Sequence, residues 1–281
     1  MDNVLVSSTW LKEYLQDESL VLADCRFNLA KPSEGKNAYD DRHIPGAVYF
    51  HLDDELSGPV TTHGGRHPLP DRTSFANLLG EKGIDQKKTV VIYDDQGGAM
   101  AARLWWMLKY LGHENVAVLN GGFTAWEKAG YPVTSEPTRV IPTYFEPDIK
   151  EPDQLVQMDE VRRGDMLLID SREPKRYQGI EEPIDKKAGH IPGAVNRFWK
   201  ENLMDDQHWK SSQTLKEEWS FISSQTAPII YCGSGVTACA NLLALQHAGY
   251  PHGRLYLGSW SDWVSYDDNP VKKGISPLKD E

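Results

Sequence analysis

Cysteine is scarce in this chain: three among 281 residues, at positions 25, 232 and 239. An odd, low number without metal-ligand spacing excludes a disulfide framework and a cysteine-built metal site, and fits a reducing compartment. Long hydrophobic runs are also missing, so no segment reaches membrane-spanning length. With Asp2 early and no apolar stretch behind it, the N-terminus does not read as a signal peptide. Basic residues are the minority, 30 Lys and Arg against 41 Asp and Glu, for a net charge of −11. Without a basic cluster or an aromatic-interleaved basic stripe, neither nucleic acid nor an anionic membrane is expected as a partner. The cytoplasm is the expected location. What is present is apolar bulk: 40% of the residues are hydrophobic, enough to bury a substantial core in two domains.

The chain also repeats itself. His43-Ile44-Pro45-Gly46-Ala47-Val48 returns as His190-Ile191-Pro192-Gly193-Ala194-Val195, and Val21 to Arg26 returns as Leu167 to Arg172. Downstream, Val90 to Tyr93 pairs with Pro228 to Tyr231, and Gly121 to Trp126 pairs with Gly258 to Trp263. Ordered matches at nearly one offset mean two copies of one domain; two copies are too few for a solenoid. Residues 1–135 form the first copy and 153–281 the second, with the Pro/Glu/Thr-rich stretch 136–152 as linker. Within each copy, short apolar runs alternate with helical segments. That alternation predicts an α/β fold, a parallel sheet flanked by helices. The repeated His-Ile-Pro-Gly turn reads as a fold element rather than a catalytic histidine.

One stretch concentrates chemistry. Ile229-Ile230-Tyr231 reads as a buried strand, Cys232 opens a turn with Gly233 and Gly235, and from Thr237 a helix begins, with Leu242, Leu243 and Leu245 as core positions. Cys232 thus sits where backbone N–H groups of a loop and a helix N-terminus converge, which favours an anion and should raise its thiolate fraction. A buried cysteine is commonly a small hydrophobe, but the flanking glycines and the strand-to-helix switch favour chemistry. Gly233 to Ala238 also satisfies the dinucleotide-binding spacing G-x-G-x-x-A. The next strand, Arg254 to Leu257, ends without the acidic residue that reading needs. A cysteine phosphatase requires an Arg in the loop to hold the phosphate dianion. Between Cys232 and Cys239 there is none.

Tyr231-Cys232-Gly233-Ser234-Gly235-Val236-Thr237-Ala238 resembles the active-site loop of the rhodanese family, in its 3-mercaptopyruvate sulfurtransferase branch. The resemblance spans the whole chain. It implies two tandem rhodanese-like domains with the site on the second. Aligning Tyr93 with Tyr231 puts Asp94 opposite Cys232, and a carboxylate cannot accept sulfur, so the first copy is expected to be catalytically inactive.

The expected chemistry is sulfur transfer without metal or organic cofactor. The Cys232 thiolate takes sulfur from a small anionic donor as a persulfide, held by the N–H groups of Gly233, Gly235, Val236, Thr237 and Ala238. Cyanide, a thiol or a thioredoxin-type acceptor then takes the outer sulfur. By resemblance, Ser234 is coupled to a His and an Asp of the first copy; by position these are His67 and Asp53, with His63 a near competitor. Such a relay could deliver the proton that turns the released enolate into pyruvate. Arg176 matches the arginine that binds the substrate carboxylate, a task suited to a guanidinium fork. A second Arg expected nine residues on is replaced by Asp185, with Lys186 or Lys187 as possible substitutes. The thiosulfate branch carries two basic residues where this chain has Gly233 and Ser234, so mercaptopyruvate is the expected donor and thiosulfate the alternative. A non-catalytic rhodanese-type binding module is the remaining reading, and an intact cysteine loop speaks against it.

Overall fold

The computed structural model describes residues 3–149, 154–222, 227–250 and 253–275. The chain divides into two units. Unit 1 comprises Met1–Gly58, Leu69–Glu151 and Leu203–Trp209, and unit 2 comprises Pro59–Pro68, Pro152–Asn202 and Lys210–Glu281. Segment 59–68 is therefore part of unit 2, although it lies early in the sequence.

Unit 1 runs β1 (Leu5–Val6), α1 (Ser8–Tyr14), β2 (Leu20–Asp24), α2 (Ser33–Asp41), β3 (Ala47–Tyr49), α3 (Arg72–Glu81), β4 (Thr89–Tyr93), α4 (Ala99–Tyr110), β5 (Val116–Leu119) and α5 (Gly122–Lys128). Unit 2 runs β6 (Leu155–Val156), α6 (Met158–Arg163), β7 (Leu168–Asp170), α7 (Pro174–Tyr177), β8 (Val195–Asn196), a 3-10 turn at Trp199–Asn202, α8 (Ser212–Glu218), β9 (Ile229–Tyr231), α9 (Ala238–His247), β10 (Arg254–Tyr256) and α10 (Ser259–Trp263). The sheets have orders β1-β5-β4-β2-β3 and β6-β10-β9-β7-β8. All these pairings are parallel. The two orders match strand for strand, as the sequence repeat requires.

Central strand β9 and, after Thr89, central strand β4 are apolar and buried, the pattern of a parallel sheet covered on both faces. Helix starts follow local chemistry: Ser7, Asp71 and Ser211 each accept a backbone N–H of the first turn of α1, α3 and α8. Leu242, Leu243 and Leu245 of α9 are buried, as their spacing predicts.

The repeated motifs are fold elements. His43 and His190 are buried, bond Tyr39 O and Tyr177 O through Nδ1 at 2.7 and 2.8 Å, and stack on those same tyrosines. The hydroxyls of Tyr93 and Tyr231 accept the N–H of Ile44 and Ile191, tying each turn to its central strand. Asp24 pairs with Arg26 and Asp170 with Arg172, at 2.7 and 2.6 Å, both pairs buried. The stretch read as linker packs onto unit 1 over part of its length. Thr143 N donates to Gly80 O, Asp148 N donates to Leu111 O, and Phe145 is buried. Positions 150–153, where that linker ends and the second copy begins, lie outside the described residues. No helix among the described residues is long and apolar enough to cross a membrane.

Candidate active site

Cys232 follows the last residue of β9, at the carboxyl edge of the second sheet where parallel α/β domains collect ligands. It is buried and unpaired by any disulfide. Gly235 N–H donates to its Sγ at 3.2 Å. Gly235 has φ +78°, and a Cβ there would collide with Leu257 O, so the turn demands glycine. The N–H groups of Ser234, Val236 and Ala238 donate to no acceptor among the described residues. Cys239 is packed, its Sγ 3.4 Å from Gly235 O, and is no partner for Cys232.

The backbone of Cys232 is held from behind. Its N–H donates to Ser259 Oγ at 3.1 Å, while Trp260 N–H and Ser261 N–H donate to Cys232 O and Gly233 O at 3.0 and 2.9 Å. Ser259 is fully buried and adopts φ +55°, left-handed backbone that a non-glycine residue takes at a cost of about 1–2 kcal/mol. Its counterpart in the first copy is Gly122, at φ +58°. Nothing in the sequence of the second copy alone marks Ser259; the glycine in the other copy is the signal that finds it.

Segment 59–68 runs against the same loop. Gly64 N–H donates to Asp262 Oδ1 at 2.7 Å, and Arg66 N–H donates to Ser261 Oγ at 3.2 Å. Between them Gly65, at φ +85°, passes so close to Gly258 O that no Cβ fits. This approach delivers two side chains. His67 Nδ1 lies 2.8 Å from Ser234 Oγ, both residues buried. Arg66 lies against Gly233: a Cβ on that glycine would sit 3.0 Å from Arg66 Nη2 and 3.6 Å from both terminal nitrogens of Arg176.

Of the residues expected from sequence, Cys232, Ser234, His67, Arg176 and the glycine loop come together in unit 2. His63 is engaged elsewhere, bonding Ser265 Oγ at 2.7 Å and stacking on Tyr266. Asp53 belongs to unit 1 and is exposed, and burial of part of its carboxyl raises it above the usual carboxylate range. Lys186 and Lys187 do not replace the missing second arginine. Lys186 Nζ lies 3.5 Å from the Asp267 carboxylate, and Lys187 Nζ donates to Asp267 O at 3.3 Å. The second guanidinium is that of Arg66, which is distant in sequence and carries no motif.

Both arginines are tied by carboxylates. Asp185 bridges Arg66 and Arg176, the latter at 3.2 Å. Glu182 takes Arg176 at 2.7 Å and Arg172 at 3.2 Å. Burial pushes the Glu182 carboxyl up, but the bonds from Arg176 and from the Asp185 and Ile184 N–H groups outweigh it and hold it below its usual range. Asp185 lies above its usual range, raised by burial and by Glu182 against the pull of Arg66 and Arg176.

The rhodanese-like domain family matches residues 7–129 and 151–266. A Pseudomonas aeruginosa protein named a probable 3-mercaptopyruvate sulfurtransferase is 40% identical, covering 96% of this chain and 98% of its own. The thiosulfate sulfurtransferase of Mus musculus is 35% identical over 92% of this chain and 91% of its own. Among solved structures, a 3-mercaptopyruvate sulfurtransferase from Leishmania major superposes with a TM-score of 0.83 at 29% identity, covering 94% of this chain and 74% of that one.

Proposed function

The chain belongs to the rhodanese family, with two copies of its domain, and from that premise we propose that it is a sulfurtransferase carrying sulfane sulfur on Cys232. The donor is 3-mercaptopyruvate. The Cys232 thiolate attacks the donor sulfur, an S–S bond forms, and the C–S bond breaks with its electron pair left on carbon as the pyruvate enolate. The enolate carbon takes a proton by way of the Ser234–His67 pair, whose 2.8 Å separation suits a relay. The persulfide then rests against the N–H groups of Gly233, Gly235, Val236, Thr237 and Ala238, which stabilise its charge as an oxyanion hole does. A thiophilic acceptor (cyanide, a small thiol or a thioredoxin-type dithiol) attacks the outer sulfur and restores Cys232. Asp53 is the acidic member of the same relay in this reading, as the resemblance implies. Arg176 receives the donor carboxylate, and the first copy, with Asp94 at the cysteine position, carries no sulfur.

The observation that carries this reading is the Cys232 loop: a thiol at a sheet's carboxyl edge that already accepts the Gly235 N–H, in a loop whose Ser234, Val236 and Ala238 N–H groups donate to no acceptor among the described residues. Three free cysteines support a reducing compartment, and we place the protein in the cytoplasm. Thiosulfate is a second reading, favoured by one specific feature: two guanidiniums, not one, lie against Gly233. Treatment with 3-mercaptopyruvate is expected to add about 32 Da at Cys232, one sulfur atom, and to release pyruvate. Both should vanish in Cys232→Ser. A wild-type chain that gains no mass, or a Ser variant that loads equally well, overturns the assignment.

A further inference from the structure

From Gly233 to Ala238 the loop has no charged side chain, so any positive charge for an anionic donor must come from elsewhere. Arg66 and Arg176 bring it to Gly233. Yet Arg66, Arg172 and Arg176 face Asp170, Glu182 and Asp185 in one connected network, three cations against three anions. The network itself is therefore neutral before a donor arrives. The carboxylates are the hidden partners, at 3% and 5% exposure for Glu182 and Asp185, against 32% and 17% for the Arg66 and Arg176 side chains. Glu182 is fixed by its own turn, accepting from Ile184 N and Asp185 N at 3.1 Å as well as from two arginines. The Asp185 carboxylate spans the two guanidiniums that touch the loop.

We propose that Asp185 sets the charge preference for the sulfur donor: its carboxylate, bridging Arg66 and Arg176 beside the Cys232 loop, holds the place of a donor anion and disfavours a dianionic donor more than a monoanionic one. This rests on the sulfurtransferase reading above and concerns the donor side of the same site. A donor oxygen that bonds Arg176 shares it with Asp185 or displaces it, and either way stays close to a fixed negative charge. Coulomb energy scales with the product of charges, so the logarithmic penalty for thiosulfate is twice that for mercaptopyruvate. The loop's neutrality and this built-in carboxylate then act in the same direction, toward a monoanionic keto acid.

Asp185→Asn keeps the shape and removes the charge; Asp185→Ser removes charge and reach together. With one fewer negative charge, KM for mercaptopyruvate is expected to fall about fivefold and KM for thiosulfate about 25-fold at low ionic strength, with kcat little changed. The gap between the donors should narrow at 1 M salt, where the Debye length is about 3 Å. On a Cys232→Ser background, which carries no chemistry, Asp185→Asn should tighten sulfate binding in calorimetry more than acetate binding. Equal shifts for both donors in a folded variant, or a fall in kcat with KM unchanged, overturn the proposal. So does loss of the fold in both variants, which would make Asp185 a structural tie. A wild-type enzyme that forms no persulfide from any donor instead removes the sulfurtransferase reading, while the sulfate measurement still decides the role of Asp185.

Discussion

The two copies carry the same loop around different residues, and the difference explains what the loop is for. In unit 1, Asp94 occupies the position that Cys232 holds in unit 2. Its Oδ1 accepts the N–H groups of Gln96 and Gly98, both at 2.8 Å, and its Oδ2 accepts those of Met100 and Ala101 at 2.8 and 3.0 Å. In unit 2 the counterparts of the first three donors are Ser234, Val236 and Ala238, which have no acceptor among the described residues. The fourth, Cys239 N, turns back to Val236 O at 3.1 Å. Gly97 and Gly235 share the left-handed conformation, at φ +77° and +78°. The scaffold is thus an anion cradle in both copies. In the first the anion is built into the chain, and in the second a short thiol leaves room for one to form by reaction. Burial is the largest influence on Asp94 and raises its carboxyl above the usual range, against four N–H donors that pull it down.

The sharpest way to break this comparison is to make the second loop like the first. Cys232→Asp should end sulfur transfer, a loss of about 10³-fold or more, while the domain stays folded with its carboxylate seated on the free N–H groups. Thermal unfolding beside Cys232→Ser is the check. If the Asp variant unfolds where Ser does not, the cradle of unit 2 differs from that of unit 1 and the equivalence is wrong.

The converse exchange should cost stability and no chemistry. Asp94→Gly strips an acceptor from four N–H groups, and is expected to destabilise unit 1 by about 3 kcal/mol. Because the emptied cradle has the shape of an anion site, sulfate should restore part of that loss in the variant and none in the wild type. Denaturant titrations with and without sulfate measure both. A variant indifferent to sulfate would mean that the donors collapse without the carboxylate and that the loop is not preformed.

How much of this was legible beforehand depends on sequence distance. The repeat, the parallel sheets and the Cys232 loop rest on local patterns: a strand, two glycines, a helix start. His67 is reachable only through the family resemblance, because a histidine in a Pro-rich segment has no local mark of function, and the structure seats it on Ser234. Arg66 is not, because nothing local says that a residue 166 positions before Cys232 lies against Gly233. Motif spacing places the second arginine at position 185, with Lys186 or Lys187 as substitutes, since spacing cannot register charge supplied by another segment. There the chain has the opposite charge, and the cation it lacks locally arrives from residues 59–68. Ser259 escaped for a different reason: φ is invisible in a residue name unless the residue is glycine.

Ser259 also provides the smallest and cleanest contrast between the copies, because Gly122 has the same backbone conformation without a side chain. Two effects meet at this serine. Its hydroxyl accepts Cys232 N–H at 3.1 Å and donates to Tyr256 O at 2.9 Å, while its Cβ strains the left-handed backbone. Ser259→Ala keeps the strain and leaves a buried N–H without an acceptor, for a loss of about 1.5 kcal/mol. Ser259→Gly gives up the same hydrogen bonds but relieves strain worth about 1–2 kcal/mol, so its stability should lie near that of the wild type. Urea midpoints order the three chains. Activity should then separate from stability: both variants free the backbone of Cys232, so both should load sulfur more slowly although only Ala is less stable. If Gly matches the wild type in loading as well, the hydroxyl does nothing for the nucleophile, and Ser259 is merely a glycine position that the second copy has filled.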